Sequence, residues 1–312
     1  MTRSETARFL QAGDNYAIVT HRRPDGDTLG SAVTLCRGLR QLGKQAWVLE
    51  NPEVTEKYAP LLCGLTKPQV EDGDVVVCVD VASPGMLPEC FRALENSIVL
   101  RIDHHGAATP FTPESLVEPE TAACGEIVYG VLREMGVVLD KPMAESLYTA
   151  VSTDTGCFRY ANTTTNTLRV AADCAEAGAD TFAMNQLYFE TNSLGRLRLQ
   201  GWLVENALFL QKGQIAICPL PKAKEEELGL TEDDLENISG FPRTIAGVKI
   251  AATLREDGDG RIKMSVRAVP GYDAAAVCEK FGGGGHKGAA GASMRLTMDE
   301  AVEAVKAAMP EI

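Results

Sequence analysis

Four short runs in the first half of the chain constrain its fold more than any bulk property: YAIVT at 16–20, QAWVLE at 45–50, DVVVCVD at 74–80 and IVLRID at 98–103. The last two are nearly continuous and β-branched, as strands buried on both faces are. Between and after these runs the apolar residues recur at helical spacing, first at Leu29, Val33, Cys36, Leu39 and Leu42, then through 121–135 and 143–153. Strands alternating with helices predict an α/β domain with a doubly wound, mostly parallel sheet. The second half reads differently. QIAIC at 214–218 is strand-like, 223–236 is an acidic helix, and VKIAATLRE and RIKMSVRAV flank Asp257-Gly258-Asp259-Gly260 as a hairpin. Helices over 273–280 and 299–308 follow, and 201–210 fits helix or strand equally. This half predicts a smaller α+β domain with a mixed sheet. A chain of 312 residues holds two domains at roughly 150 residues each. The expected division is 1–192, a linker at 193–201, and 202–312.

Several classes are excluded. No stretch has the roughly 18 uncharged apolar residues of a membrane helix, and the N-terminus has no signal-peptide core, so a cytoplasmic protein is expected. The nine cysteines are scattered without a C-x-x-C pair, which favours reduced core thiols over disulfides or a cysteine zinc site. The net charge is −13, with −11 in residues 1–194 and −2 in the remainder. Such a chain is a poor non-specific partner for long nucleic acid, whose binding depends on neutralising phosphates. The acidity serves solubility, or it reflects carboxylates gathered around cations.

The four histidines discriminate between these. Each lies beside carboxylates or glycines at the end of a predicted element. His21, Asp25 and Asp27 follow the first strand directly, and a nitrogen donor with several carboxylates suits Mn²⁺ or Fe²⁺ better than Ca²⁺. The competing reading is an ordinary Asp-Gly turn. Asp80 ends the most apolar strand, at the sheet edge where open α/β sheets place ligands, or else it caps the next element. Asp103-His104-His105 ends the following strand; two adjacent imidazoles there point to different sides, one toward a metal and one toward substrate, with Asp103 holding a ring in place. Asp154 closes a helix, as a further metal ligand or as part of a helix terminus with Gly156. Late in the chain, Gly283, Gly284, Gly285, His286 and Lys287 offer bare backbone N–H groups with two basic side chains, a combination suited to phosphate oxygens. The G-x-G-x-x-G at 283, 285 and 288 follows a helix and lacks room for a βαβ unit, so it is a weak dinucleotide signal. Arg267 is a candidate phosphate clamp on the second sheet, or simply an exposed strand arginine.

In order and spacing, His21-x-x-x-Asp25-x-Asp27, Asp80, Asp103-His104-His105 and Asp154 resemble the DHH phosphoesterase superfamily, and GGGGHKGAAG resembles the glycine-rich signature of the DHH-associated domain. The resemblance spans nearly the whole chain and is similar to compact members of the nano-RNase and pAp-phosphatase type. It implies two divalent cations, Mn²⁺ first among them: one held by His21, Asp25 and Asp80, the other by Asp27, Asp80, His104 and Asp154. It also implies that His105, supported by Asp103, faces the scissile phosphate, and that Asp80 is the catalytic bridge. Arg267, Gly283, Gly284, Gly285, His286 and Lys287 would hold the substrate's terminal phosphate or nucleotide.

The implied reaction is hydrolysis of short single-stranded RNA or DNA oligonucleotides and linear dinucleotides to mononucleotides, or removal of the 3′-phosphate of pAp, by hydroxide activated between the two cations. Long duplexes and membranes are not expected partners, and a homodimer is compatible with the sequence. Alternatives are a phosphatase or pyrophosphatase on non-nucleotide phosphates, a cyclic-dinucleotide phosphodiesterase, a binding module on a decayed scaffold, and a dinucleotide-dependent oxidoreductase.

Overall fold

Among the described residues, six parallel strands organise the first half of the chain: β1 (Tyr16–Val19), β2 (Ala46–Leu49), β3 (Thr66–Lys67), β4 (Val75–Val79), β5 (Ile98–Asp103) and β6 (Glu114–Val117), in the spatial order β3-β2-β1-β4-β5-β6. The computed structural model describes residues 1–106 and 110–312 and divides into two units, Met1–Thr191 and Asn192–Ile312. β3 and β6 lie at the sheet edges; two residues and a half-exposed ESLV carry no apolar run to announce them.

The first unit's helices are α1 (Arg3–Ala12), α2 (Gly26–Gln41), α3 (Cys124–Glu134), α4 (Lys141–Asp154), α5 (Thr165–Glu176) and α6 (Thr181–Asn185). The strands serve two cores because their side chains alternate. Tyr16, Ile18, Val77 and Val79 pack with Leu29, Val33 and Leu39 of α2 and Val128 and Val131 of α3. Ala17, Val19, Val76 and Cys78 face the other way, toward Leu87 and Phe91. A 3₁₀ segment, Glu89–Ser97, covers that second face.

The chain leaves β1 to form β2 and β3 on one side, then returns to place β4, β5 and β6 on the other. The carboxyl ends of β1 and β4 therefore flank a crevice where the strand order reverses. Glycines bring a helix to its rim. A Cβ added at Gly30 would lie 2.4 Å from the Ser146 carbonyl oxygen and 2.8 Å from the Ala150 nitrogen, and one added at Gly26 would lie 2.4 Å from Thr153 Oγ1. Only hydrogen at Gly30 lets α4 approach α2 at backbone distance, Gly26 leaves room for the Thr153 side chain, and α4 ends on Asp154.

The second unit carries β7 (Leu208–Leu210), β8 (Ile215–Leu220), β9 (Ile250–Glu256), β10 (Ile262–Ala268), β11 (Gly284–Gly285) and β12 (Ala289–Met294), in the order β11-β12-β10-β9-β8-β7. Only β8 and β9 are parallel, so the sheet is mixed, as expected. Its helices are α7 (Leu194–Glu205), α8 (Lys222–Glu227), α9 (Glu232–Leu235), α10 (Ala274–Glu279) and α11 (Met298–Ala308). Ile250, Ala252 and Leu254 of β9 meet α10 and α11 on one face.

Three expectations need correction. Residues 193–201 are not a linker: Ser193 caps α7, whose Leu199 and Leu203 anchor it against Cys218 and Leu220 of β8. The acidic helix at 223–236 is two helices, parted at Gly229, whose φ of +61° no continuing helix adopts. Cys63 and Cys90 are exposed and Cys157 is half-buried, so the description of core thiols fits Cys36, Cys78, Cys124, Cys174, Cys218 and Cys278 but not those three.

A Gly30→Ala substitution is expected to lower unfolding free energy by about 1–3 kcal/mol, because the new methyl meets a backbone carbonyl that cannot yield cheaply. Gly201→Ala in α7, where a Cβ meets nothing within 4 Å, is the control and should be neutral or stabilising in the same urea titration.

Candidate metal centre

His21 lies two residues past β1, in a loop fastened at both sides. Its N–H donates to Thr28 Oγ1 (3.4 Å), Thr28 donates to the Val79 carbonyl at the end of β4 (3.1 Å), and Asn51 Nδ2 donates to the His21 carbonyl (2.9 Å). The ring's Nδ1 sits 2.8 Å from the Arg22 carbonyl. Donation there fixes the tautomer and leaves the Nε2 lone pair free to bind a cation. Asp25 caps α2, accepting from the backbone N–H groups of Asp27 and Thr28 at 3.0 and 3.2 Å. The helix-cap role and a place at the site coincide in this residue.

Asp27 is buried in the first turn of α2 and is tied to a second helix. Its Oδ1 accepts from Ser31 Oγ and the Gly125 N–H, both at 3.0 Å, and its Oδ2 accepts from the Cys124 N–H at 2.7 Å. The capping position of α3, Ala123, has no side chain able to cap, so Asp27 satisfies the first N–H groups of α3 from a distant part of the chain. Sequence reasoning took 121–135 simply as a helix. The small-residue run Ala122-Ala123-Cys124-Gly125 was the available sign that another element approaches its start.

Asp80 stands one residue beyond β4 with φ at +59°, a left-handed conformation that Asp tolerates better than most residues. Its own N–H still donates to the Ile102 carbonyl of β5 at 2.9 Å. It does not cap the 3₁₀ turn Pro84–Met86, whose cap is Ser83. The two carboxylate oxygens of Asp80 divide between neighbours: Oδ2 is 3.4 Å from His21 Nε2, and Oδ1 is 3.5 Å from both His104 Nε2 and His105 Nδ1. Oδ1 is buried and has no hydrogen-bond partner among the described residues.

His104 repeats the arrangement of His21. Its Nδ1 is 3.1 Å from the Thr121 carbonyl, and its Nε2 stands 3.6 Å from Asp27 Oδ2 and 3.5 Å from Asp154 Oδ2. His105 turns away to Asp103, whose Oδ1 accepts from the ring Nδ1–H at 2.8 Å. Asp103 has no solvent exposure, so it acts on the ring rather than on a substrate.

Among the described residues, the donor atoms of His21, Asp25 and Asp80 lie within 4.8 Å of one another, and so do those of Asp27, His104 and Asp154. Cations with bonds of about 2.1 Å set neighbouring donors roughly 3.0–3.5 Å apart. The N···O separations of 3.4–3.6 Å are long for hydrogen bonds and close to that spacing. With both Nε2 atoms presented and Asp80 Oδ1 lacking a partner, the residues fit a divalent-cation centre.

Without a cation the set is electrostatically strained. Burial, then the Asp80 and Asp154 charges, hold Asp27 well above the usual carboxylate range. Partial burial, with Asp25 and Asp80, pushes Asp154 up to about 7. Burial also acts to raise Asp80, but the neighbouring His104 and His21 rings overcome it and hold that carboxyl below its usual range. Burial opposes the charge on His104, yet Asp80 and Asp27 push it up to about 11. Cations would displace such protons.

In the second unit, Arg267 of β10 pairs with Ala289 of β12, and the Ala268 N–H donates to the Gly288 carbonyl, so Arg267 adjoins the His286–Ala289 turn. His286 and Lys287 are exposed. The glycine run is not an open cradle of N–H groups. Gly284 and Gly285 form β11 against β12, and the N–H groups of Gly283 and His286 donate to Cys278 and Ala289 carbonyls. Glycine is needed at 283 because a Cβ there would lie 2.2 Å from the Gly291 carbonyl oxygen.

Fold and site together define a two-domain α/β protein with a carboxylate–imidazole centre at the switch point of a parallel sheet. Residues 15–151 match the DHH family N-terminal domain and 212–311 match the DHHA1 domain. The chain is 33% identical to the bifunctional oligoribonuclease and PAP phosphatase NrnA of Thermus thermophilus, over 94% of this chain and 89% of that protein. An exopolyphosphatase-related protein of Bacteroides fragilis has the same fold, with a TM-score of 0.87 and 26% identity over 98% of this chain and 94% of that one. The manganese-bound exonuclease RecJ matches at a TM-score of 0.53 and 16% identity, over 99% and 93%, a likeness of fold. The chain belongs to the DHH family of phosphoesterases.

Added Mn²⁺ is expected to raise the melting temperature, since binding to the folded state at a hundred times Kd stabilises by about 2.7 kcal/mol. Asp80→Asn should remove most of that rise in a calorimetric scan, and an equal rise in both proteins would exclude the centre described.

Proposed function

We propose that this chain hydrolyses short oligonucleotides and linear dinucleotides to mononucleotides and removes the 3′-phosphate of pAp, using two divalent cations. The observation that carries the reading is Asp80, whose two oxygens face His21 and His104 at 3.4 and 3.5 Å and so join two donor clusters. The name of the Thermus thermophilus relative supplies the substrate class. A net charge of −13 accords with short substrates, since a long polyanion gains nothing from an acidic surface.

We assign His21, Asp25 and Asp80 to one cation, and Asp27, Asp80, His104 and Asp154 to the other. The mixed nitrogen and oxygen donors favour Mn²⁺. When bound, the cations would acidify the attacking water and neutralise phosphoryl oxygens. The chain's own chemistry falls to His105. Its hydrogen bond to Asp103 raises the ring's pKa despite partial burial, which favours the doubly protonated ring whose Nε2 carries a proton. That proton is available to a phosphoryl oxygen or to the departing 3′-oxygen. Asp103 orients the ring and, being enclosed, does not touch the substrate. Residues 1–192 are assigned the cleavage. Residues 202–312 are assigned the nucleotide end, through Arg267, His286, Lys287 and the backbone at Gly283, Gly284 and Gly285. β11 leaves fewer free N–H groups there than the glycine run suggests, so the two basic side chains and Arg267 carry most of that assignment.

Di- to pentanucleotide RNA incubated with Mn²⁺ is expected to yield mononucleotides on chromatography, and EDTA should abolish the products. Turnover that survives chelation would overturn the reading. Asp80→Ala should leave no detectable activity, while His286→Ala should raise KM for dinucleotides with little change in kcat. Pyrophosphate and polyphosphate belong in the same panel, because the Bacteroides fragilis relative's name points to phosphoanhydrides; preference for them would replace the oligonucleotide assignment.

A further inference from the structure

The ligands assigned to the second cluster are not equally well supported. Asp27 receives hydrogen bonds from Ser31, Cys124 and Gly125, and the His104 ring leans on the Thr121 carbonyl. Among the described residues, no hydrogen bond reaches the Asp154 carboxylate, and that side chain is 32% exposed. Asp154 is the last residue of α4, so its position depends on where the end of that helix is held.

Thr155 bonds carbonyls of that last turn locally; the side chain that reaches the Asp154 carbonyl from outside the helix is Asn162, which lies in the turn before α5. Its Nδ2 is 3.2 Å from the Asp154 backbone carbonyl and 3.2 Å from the Ala122 carbonyl. An amide NH₂ group has two donors, and this geometry uses both. The Asp154 carbonyl is one of the last four of α4 and has no partner within the helix. The other acceptor, Ala122, belongs to the segment Thr121–Gly125, which also holds the His104 ring and the Asp27 carboxylate. Three donors from distant parts of the chain thus refer to one short segment. Asp27 and His104 do so directly, and Asp154 does so through Asn162. Asp25 and His21 are held elsewhere, by the first turn of α2 and by the Arg22 carbonyl.

We propose that Asn162 is a positioning residue that sets the divalent-cation affinity of the Asp27–His104–Asp154 cluster and leaves the His21–Asp25–Asp80 cluster unaffected. The proposal rests on the two-cation reading above. Supports of this kind typically change metal affinity 10- to 100-fold. Two carbonyl bonds made by one exposed amide place the expected change near the lower end, at about tenfold.

The test is titration of the metal-free full-length protein with Mn²⁺ alone, followed by calorimetry and by the Mn²⁺ electron paramagnetic resonance signal. Asp154→Asn first identifies which of the two binding steps belongs to this cluster. Asn162→Ala, and Asn162→Asp, which keeps the size but loses the donors, should weaken that same step about tenfold. The other step and the metal-free melting temperature should stay at their wild-type values. Asn162→Ser, retaining one donor, should fall between them. Weakening of both steps alike, or a metal-free melting temperature lowered together with both, would show that Asn162 merely stabilises the fold and would overturn the proposal; unchanged titrations would do the same. A wild-type protein that binds no Mn²⁺ would overturn the two-cation reading and this inference with it.

Discussion

Repulsion among carboxylates gathered in one crevice is the constraint on which the rest of the first unit turns. Asp25, Asp27, Asp80 and Asp154 share a site with His21 and His104, at separations of 3.4–3.6 Å between the paired donor atoms. A protein holds so many like charges together only if each is fixed before the cations arrive, because a free side chain would swing into water. The fixing is done by backbone. Asp80 stands at the end of a central strand in a left-handed conformation, which costs about 1–3 kcal/mol. The parallel sheet on both sides absorbs that cost, with the Asp80 N–H still bonded to Ile102.

The same economy appears at the helix ends. Asp25 caps its own helix, Asp27 caps another, and the end of α4 presents Asp154. Each carboxylate that a cation would claim already has a local reason to be where it is, apart from the Asp154 side chain. Structural and chemical readings of these residues are therefore not rivals. A helix N-terminus offers N–H groups and a partial positive charge, which lower the cost of burying Asp27.

Much of this was legible in the residues. The alternation of apolar runs and helical spacing is local, and so the parallel sheet and hairpin followed from it. Every proposed ligand sits at the end of a recognisable element, and the four histidines, being few, pointed to the same places. Other features left no local trace. β3 and β6 are edge strands too short or too polar to show a period. The glycine run at 282–285 reads as flexible or phosphate-binding until the close approach of β12 explains Gly283 and Gly285 by packing. Residues 193–201 look like a hinge because α7 buries only Leu199 and Leu203.

The order of side chains along the polypeptide determined which chemistry was available: nitrogen and oxygen donors at strand and helix ends, an imidazole followed by another imidazole after a carboxylate, and an excess of negative charge. Only the three-dimensional arrangement decided which donors come together. It did so by reversing the strand order between β1 and β4, so that residues 21, 80 and 104 open on one crevice. It also brought α4 against two glycines of α2, and it set the start of α3 under Asp27. Hydrogen-bond donors supplied by backbone carry no side-chain signature, and close approach between distant segments depends on the whole packed core; neither can be read from neighbours in the chain.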